Sequence, residues 1–268
     1  MKRVLKSVIK KLGYKISKSD KTLNKNPFSN YEYGDEAYEA IKKVSKNTMV
    51  PEISLLTLYE QVVYCEKNQI PGDFVECGVW KGGAVGMMAI ANQNHGVKSR
   101  DLRLFDAFDD ICEPDPEVDG DKAFEHILFL SNKKKSEFKG RIEPVKGVYN
   151  YLGGHGTIAI CNELLVDKLR YNDKNIYYYK GWFEKTMKEY SEQITQIAIL
   201  RLDGDWYSST RTILECLFDK VVPGGVIIID DYGTYDGCRK AVNEFMTERN
   251  IKTFLSYSDY SCRYFVKS

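Results

Sequence analysis

The sequence has little net charge, no long apolar run and only three histidines. The formal net charge is +1 over 268 residues, so no overall field points to nucleic acid or a membrane as partner. No stretch of 18 apolar residues occurs, and the N-terminus lacks the apolar core of a secretory signal. We therefore expect a cytoplasmic α/β protein that has no transmembrane helix and does not bind nucleic acid.

The cysteines show no pattern that suggests disulfides or zinc. There are seven, an odd number, without a Cys-x-x-Cys pair or a Cys/His ligand spacing. Several lie inside apolar runs, where a thiol behaves as a small hydrophobic group. We expect reduced cysteines in the core or partly buried, as in a cytoplasmic protein.

The N-terminus is strongly basic, with nine Lys/Arg and one acid in residues 1–25. Apolar residues at helical spacing predict a short basic amphipathic helix over 2–12. This helix could contact the inner face of a membrane, bind a partner, or pack on its own domain or a second subunit. The polar stretch up to about residue 30 predicts a linker, so that 1–30 forms an extension and 31–268 the domain.

Strands and helices alternate along the domain. The predicted strands are 73–77, 102–107, 175–179, 196–202, 226–229, 253–257 and 263–266, and the predicted helices are 35–46, 52–68, 82–94, 158–170, 183–192, 207–219 and 237–249. This order indicates a doubly wound, mostly parallel, seven-stranded sheet, closed at one edge by an antiparallel hairpin. The irregular segment 108–157, with a helix predicted around 120–139, is the predicted substrate lid.

A glycine turn follows the first predicted strand, in Glu-Cys-Gly-Val-Trp-Lys-Gly-Gly at 76–83. Such a turn lets a ligand approach the backbone and the next helix N-terminus. A dinucleotide needs glycine where this chain has Trp80, whereas S-adenosylmethionine has no diphosphate and stays compatible. Glu76 could engage the amino acid part of that cofactor. The alternative is a structural turn without a ligand.

Asp106 ends the second predicted strand. An acid in this place is suited to accept hydrogen bonds from ribose hydroxyls. Nicotinamide and methionine cofactors both carry an adenosine, so Asp106 indicates the nucleoside and not the reaction. The alternative is an acid in a solvated loop.

Three carboxylates follow two further strands. Asp203 comes after strand 196–202, and Asp230 and Asp231 come after strand 226–229. These strands are expected to be adjacent and parallel, which brings the acids together. Oxygen ligands favour Mg²⁺, with Mn²⁺ or Ca²⁺ as alternatives. In the competing interpretation, Asp205 or Ser208 caps the helix over 207–219 and the other acids are solvated.

Methyl transfer to a hydroxyl would use both sites. A metal lowers the pKa of a bound hydroxyl, and a carboxylate beside it accepts the proton. Asp203 is the predicted base. The histidines at 95, 126 and 155 compete for this role, but sequence position alone does not place them in the site.

Five segments together resemble the macrocin-type O-methyltransferase family, whose members methylate sugar hydroxyls of macrolides and aminocoumarins and have relatives in surface-glycan pathways. The segments are 48–50 (Thr-Met-Val), 72–83, 181–183 (Gly-Trp-Phe), 201–210 (Arg-Leu-Asp-Gly-Asp-Trp-Tyr-Ser-Ser-Thr) and 224–232. The resemblance implies a Rossmann-like class I methyltransferase fold, S-adenosylmethionine as cofactor, and dimers or larger oligomers.

The resemblance also implies roles for individual residues. It places Mg²⁺ at Asp203, Asp230 and Asp231, with Asp203 as the base. The segment at 48–50 is expected to close over the cofactor. The expected cofactor contacts are Thr48, Met49, Val50, Glu76, Gly78, Val79, Trp80, Gly82, Asp106 and Ser209.

The chain departs from the family at the long 108–157 segment and at the basic N-terminal helix. Tyr149, Tyr151 and the glycine-rich stretch at 153–156 could stack on a sugar ring or form a packed surface loop. Three other functions compete with sugar O-methylation: methylation of a phenolic or catechol acceptor, a nicotinamide-dependent sugar reductase, and a non-catalytic binding protein.

Overall fold

The computed structural model describes residues 26–131 and 133–268. The predicted basic helix at 2–12 and most of the predicted linker lie outside these residues. The end of that linker packs on the domain: Phe28 is buried, and Asn26 Nδ2 donates to the carbonyl of Gly34 at 2.9 Å.

Seven strands form one sheet in the order β3-β2-β1-β4-β5-β7-β6. They are β1 Asp73–Cys77, β2 Leu102–Asp106, β3 Ile176–Lys180, β4 Ile197–Leu202, β5 Val221–Ile229, β6 Ser256–Tyr257 and β7 Arg263–Val266. The first five strands are parallel, and β7 runs antiparallel to both of its neighbours. This confirms the predicted doubly wound sheet with an antiparallel edge.

Helices cover both faces of the sheet. Those described are α1 Gly34–Val44, α2 Glu52–Lys67, α3 Gly83–His95, α4 Gly120–Leu130, α5 Ile158–Asn162, α6 Phe183–Tyr190, α7 Tyr207–Leu217 and α8 Asp236–Glu248. Neighbouring strand residues point to opposite faces. Phe74 packs with α1, α2 and α3, whereas Val75 packs with α4, α6, α7 and α8.

Four predicted elements differ from the structure by three or more residues or in helix type. Strand β6 covers only Ser256–Tyr257 of the predicted 253–257. Strand β5 begins at Val221 and takes in the Pro-Gly-Gly turn, because its register with β4 shifts between Ile197 and Ile199. Helix α4 ends at Leu130, since Ser131 has an extended backbone. The helix predicted over 158–170 continues from α5 as a π-helical turn at Glu163–Lys168.

The cysteines lie in the core or partly buried, as the sequence analysis expects. Five cysteines are buried, two are partly buried, and all seven are free thiols. None of the helices within 26–131 and 133–268 is long and apolar enough to cross a membrane.

Candidate active site

A cleft opens at the carboxyl ends of β1, β2, β3 and β4. Gly78, Asp106, Gly181 and Asp203 each follow or end one of these strands and line it. The segment 108–157 supplies a further wall. Ligands of doubly wound sheets bind in this place, so the fold and the sequence motifs indicate the same site.

The glycine turn is organised by Asp106. Gly78 has a φ of +92°, and a Cβ there would lie 1.7 Å from the carbonyl oxygen of Asp203. The Asp106 carboxylate accepts hydrogen bonds from the backbone N–H of Val79 at 2.6 Å and of Trp80 at 2.9 Å. Asp106 also lines the cleft, so it holds the turn in addition to its predicted place near a ligand.

The Trp80 indole forms part of the cleft wall. Its Nε1–H is buried and has no hydrogen-bond partner among the described residues. The Lys81 ammonium lies 4.5 Å from the centre of the indole ring, and it donates to the carbonyl of Leu152 at 2.7 Å. A buried, unpaired donor in a cleft is suited to a ligand acceptor.

The 48–50 segment lies against the glycine turn, and its expected closure over the cofactor stays a prediction. The N–H of Gly83 donates to the Asn47 carbonyl at 2.9 Å, and a Cβ on Gly83 would come within 2.5 Å of the Thr48 side chain. Met49 is half exposed and lines the cleft. Of the expected cofactor contacts, Gly78, Trp80, Asp106 and Ser209 line it as well, whereas Thr48, Val50, Glu76, Val79 and Gly82 do not.

Glu76 is directed at Arg201 and lies behind the cleft wall. The register of β1 and β4 pairs the two residues, and Oε1 of Glu76 lies 2.6 Å from the guanidinium. Both side chains are at most 2% exposed. Burial raises the pKa of Glu76, and Arg201 opposes this effect. Direct contact of Glu76 with a cofactor stays a prediction.

Arg201 joins three carboxylates from three strand ends. Besides Glu76, its guanidinium contacts Oδ2 of Asp203 at 2.7 Å and Oδ1 of Asp230 at 2.6 Å. The sequence analysis missed this residue. A single charge inside the buried strand Ile-Ala-Ile-Leu-Arg-Leu was the available signal, because arginine is almost never fully buried without a partner.

A carboxylate cluster lies beside this ion-pair network. Oxygens of Asp203, Asp205 and Asp231 lie within 4.8 Å of one another. Burial, followed by the neighbouring carboxylates, raises the pKa of Asp205 and of Asp231 well above the ordinary value. Two of the three predicted metal ligands are therefore together. Asp230 contacts Arg201 instead, and Asp205 takes the third place in the cluster.

The predicted alternative, in which Asp205 or Ser208 caps α7, is not what the structure has. The residue before the helix is Trp206, and its side chain makes no capping hydrogen bond. The N–H of Tyr207 donates instead to Oδ1 of Asp119, at 2.7 Å, from the 108–157 segment. Ser209 Oγ donates to the carbonyls of Gly204 and Trp206.

The three histidines differ in position. His95 contacts Glu36 at 2.8 Å and does not line the cleft. His155 lies with Asp109 and Asp110, whose carboxylates are already bound by the Lys146 ammonium and by backbone N–H groups. His126 lines the cleft, and its Nδ1 lies 2.5 Å from the hydroxyl of Tyr235. The sequence analysis did not identify this pair.

Comparisons with known proteins agree with this geometry. A model of the macrocin O-methyltransferase (TylF) family matches residues 10–136 and 159–267. The demethyldecarbamoylnovobiocin O-methyltransferase of Streptomyces niveus is 33% identical over 184 residues, which is 69% of this chain but only 62% of that protein. The chain thus spans less than two thirds of that relative's length.

Two further proteins are similar over most of the chain. The 8-demethyl-8-(2,3-dimethoxy-α-L-rhamnosyl)-tetracenomycin-C 4'-O-methyltransferase of Streptomyces olivaceus is 31% identical, covering 75% of this chain and 69% of that protein. The solved structure of the O-methyltransferase NovP superposes with a TM-score of 0.63 at 26% identity, covering 83% of this chain and 82% of that one. The chain therefore belongs to the macrocin O-methyltransferase family.

Proposed function

We propose that this protein transfers a methyl group from S-adenosylmethionine to a sugar hydroxyl of a glycan or glycosylated metabolite, with the help of a divalent metal ion. The observation that carries the proposal is the presence, in one cleft, of the glycine turn with Asp106 and of the carboxylates of Asp203 and Asp205. The name of the Streptomyces olivaceus relative describes O-methylation of a tetracenomycin that carries a rhamnosyl group, which supports the substrate class.

The residues of the cleft fit the cofactor. Asp106 is suited to the ribose hydroxyls, and the open backbone at Gly78 allows close approach. The unpaired Nε1–H of Trp80 offers a buried donor, with Met49 and Ser209 on other walls. When bound, S-adenosylmethionine supplies an electrophilic methyl group on a sulfonium. Glu76, Thr48, Val50, Val79 and Gly82 would support these contacts from behind the surface.

The oxygen-only donor set fits Mg²⁺ or Mn²⁺. Asp203 and Asp231 would hold the ion, with Asp205 or Asp230 as a third ligand. When bound, the ion would lower the pKa of the acceptor hydroxyl and orient it. Arg201 offsets charge at Glu76, Asp203 and Asp230, and a bound cation would offset the charge of the neighbouring Asp205 and Asp231.

Asp203 is the proposed base that takes the hydroxyl proton. Asp205 is a second candidate, because its carboxylate lines the cleft and does not contact Arg201, whereas Oδ2 of Asp203 does. A carboxylate free of a guanidinium has the greater proton affinity. The carboxylates of the two acids lie close together. One of them could therefore accept the proton while the other serves only as a metal ligand.

Labelled methyl transfer tests the reaction. The full chain is incubated with S-adenosylmethionine carrying a ¹⁴C-methyl group, with Mg²⁺, and with neutral glycosides such as methyl α-L-rhamnopyranoside. We expect labelled glycoside, loss of product in excess EDTA and recovery on adding Mg²⁺. Transfer only to catechols would favour the phenolic alternative, and NADH-dependent reduction would favour the reductase. Full activity in excess EDTA would contradict the proposed requirement for a metal ion.

We also propose that the protein is cytoplasmic and forms a homodimer or larger homo-oligomer, and that residues 2–12 contact the inner membrane surface. The excess of Lys/Arg in residues 1–25 supports the membrane contact. Sedimentation with anionic liposomes is expected for the full chain and not for a chain lacking residues 2–12. Light scattering measures the oligomer size, and a monomer would contradict the assembly.

A further inference from the structure

A groove continues from the cleft along the end of α4. It shares His126, Leu130 and Tyr151 with the cleft. Two of its aromatic rings are mostly exposed: Phe129 is 88% and Tyr151 is 62% exposed. Exposed aromatic side chains at the edge of a ligand cleft indicate a binding surface, since water solvates such rings poorly.

The groove is polar but offers no free charge. The Lys146 ammonium is bound by both carboxylate oxygens of Asp109, at 2.6 and 2.8 Å. Burial, together with Lys122, lowers the pKa of His126, so its imidazole is neutral at pH 7. Lys146 and His126 are the basic side chains among the described residues that line the groove. An anionic ligand would therefore find no unpaired cation there.

The loop that carries Tyr151 is fixed to the cleft wall. The Asp110 carboxylate accepts a hydrogen bond from the N–H of Gly147 at 2.8 Å. On the other side of Tyr151, the Lys81 ammonium holds the carbonyl of Leu152 at 2.7 Å. The backbone that carries the ring is thus held in place before a ligand arrives, which lowers the entropic cost of binding.

Half of the residues that line the groove lie outside the parts of the chain that match the family model. Residues 137–158 lie between those parts, and they include Lys146, Asn150 and Tyr151, whereas His126 and Phe129 lie within the matched part. The reacting groups around Asp203 also lie within the matched parts. A surface built partly from unmatched residues beside a matched reaction site is suited to select the acceptor.

We propose that this groove binds a second, uncharged sugar unit of the acceptor, next to the unit that is methylated; this rests on the proposed sugar O-methylation. A pyranose ring presents C–H faces to Phe129 and Tyr151, and hydroxyls to His126 and Asn150. A hydrocarbon chain would leave these polar groups unpaired, and a phosphorylated or uronic unit would bring an unpaired charge.

Calorimetry with the full chain, Mg²⁺ and S-adenosylhomocysteine tests the groove without any methyl transfer. The probes are methyl glycosides of rhamnose and glucose, the neutral disaccharides that extend them, and one disaccharide with glucuronic acid as the second unit. We expect a neutral disaccharide to bind about three- to tenfold more tightly than its monosaccharide, as for one or two stacked rings.

Variants test whether the gain in disaccharide affinity comes from the groove. Phe129→Ala should remove most of it and leave monosaccharide binding within about twofold. Tyr151→Ala should also remove most of it, whereas Tyr151→Phe should keep it because the ring remains. Phe254→Ala is the matched control, since this ring is 77% exposed and does not line the groove. All three side chains are exposed, and melting temperatures verify folding.

The results distinguish failure of the groove proposal from failure of the proposed reaction. The groove proposal is overturned if no neutral disaccharide gains affinity, if the gain survives the Phe129/Tyr151 double substitution, or if the glucuronic unit gains more. Disaccharide binding that depends on Tyr151, without methylation of any glycoside, would support the groove and remove the proposed reaction. Methylation of monosaccharides, without tighter binding of any disaccharide, would support the proposed reaction and overturn the groove proposal.

Discussion

Arg201 holds the strand ends together through buried charge. Its guanidinium is 2% exposed and contacts three carboxylates. Arg201→Met leaves the buried Glu76 and the partly buried Asp203 and Asp230 without their cation, which should lower the free energy of unfolding by about 3–5 kcal/mol. Arg201→Lys should recover only part of the loss, because one ammonium cannot reproduce the fork of guanidinium contacts.

Urea titration of the unfolding transition measures this effect. Arg211→Met is the matched control, because Arg211 pairs with Glu215 and Glu248, which are each 54% exposed. An exposed pair contributes about 1 kcal/mol or less. Equal losses for the two variants would contradict the structural role of Arg201.

Asp203 and Asp205 can be distinguished by separating metal binding from turnover. If Asp205 is the base, Asp205→Asn should lower kcat about 10²- to 10⁴-fold and change Mn²⁺ affinity less than Asp203→Asn does. If Asp203 is the base, Asp203→Asn alone should give that loss of kcat even at saturating metal. Titration of Mn²⁺ by paramagnetic resonance, beside kcat measurements, decides between them. Unchanged kcat in both variants would contradict either assignment.

At the scale of elements, the 108–157 segment is tied to α7 by Asp119. The Asp119 carboxylate accepts the N–H of Tyr207 at 2.7 Å and the N–H of Asp115 at 2.6 Å. Burial raises the pKa of Asp119 to about 6, although the two backbone hydrogen bonds act in the opposite direction. Because the folded-state pKa is above the unfolded value, ionisation opposes folding.

The contribution of Asp119 to stability is therefore complete below about pH 4 and is lost as pH rises through about 6. Asp119→Asn should remove this dependence, so that the free-energy difference between wild type and variant shrinks by about 2–3 kcal/mol from pH 4 to pH 7. Asp121→Asn is the control, since that carboxyl is 84% exposed. A constant difference across this range would contradict the raised pKa.

The elements themselves could be predicted from the sequence, because their signals are local. Strand and helix periodicities gave all seven strands and the antiparallel edge. The predicted ends of elements are wrong where tertiary contacts determine them. Strand β5 extends through Pro223–Gly225, where the backbone of Lys267 pairs with Gly224 and Gly225 at the sheet edge. The pairing of Tyr207 with Asp119 joins residues 88 positions apart, and no local pattern indicates it.

The whole molecule is expected to be stabilised by its cofactor. S-adenosylhomocysteine at 100 times its Kd should contribute about 2.7 kcal/mol, which raises Tm by about 5–10 °C in a domain of this size. NADH at the same concentration should leave Tm unchanged, because Trp80 occupies the place where a dinucleotide needs glycine. Thermal scanning measures both, and a larger shift with NADH would contradict the cofactor assignment.

The position of the site could be predicted, but the details of its charges could not. Parallel strands bring Asp203, Asp230 and Asp231 to one edge, and the sequence shows this order. Which acid faces Arg201 and which faces the cleft depends on side-chain directions after the strands end. The place of Asp205 in the cluster, with its backbone at a φ of +60°, follows from the turn that β4 makes into α7.

Anomalous diffraction from crystals grown with Mn²⁺ and S-adenosylhomocysteine tests the central claim most directly. We expect one manganese peak at the carboxylates of Asp203 and Asp231, at about 2.0–2.2 Å from their oxygens, with the cofactor's sulfur beside it in the cleft. A cofactor bound in the cleft with no peak at these carboxylates, or with manganese bound elsewhere, would contradict the account.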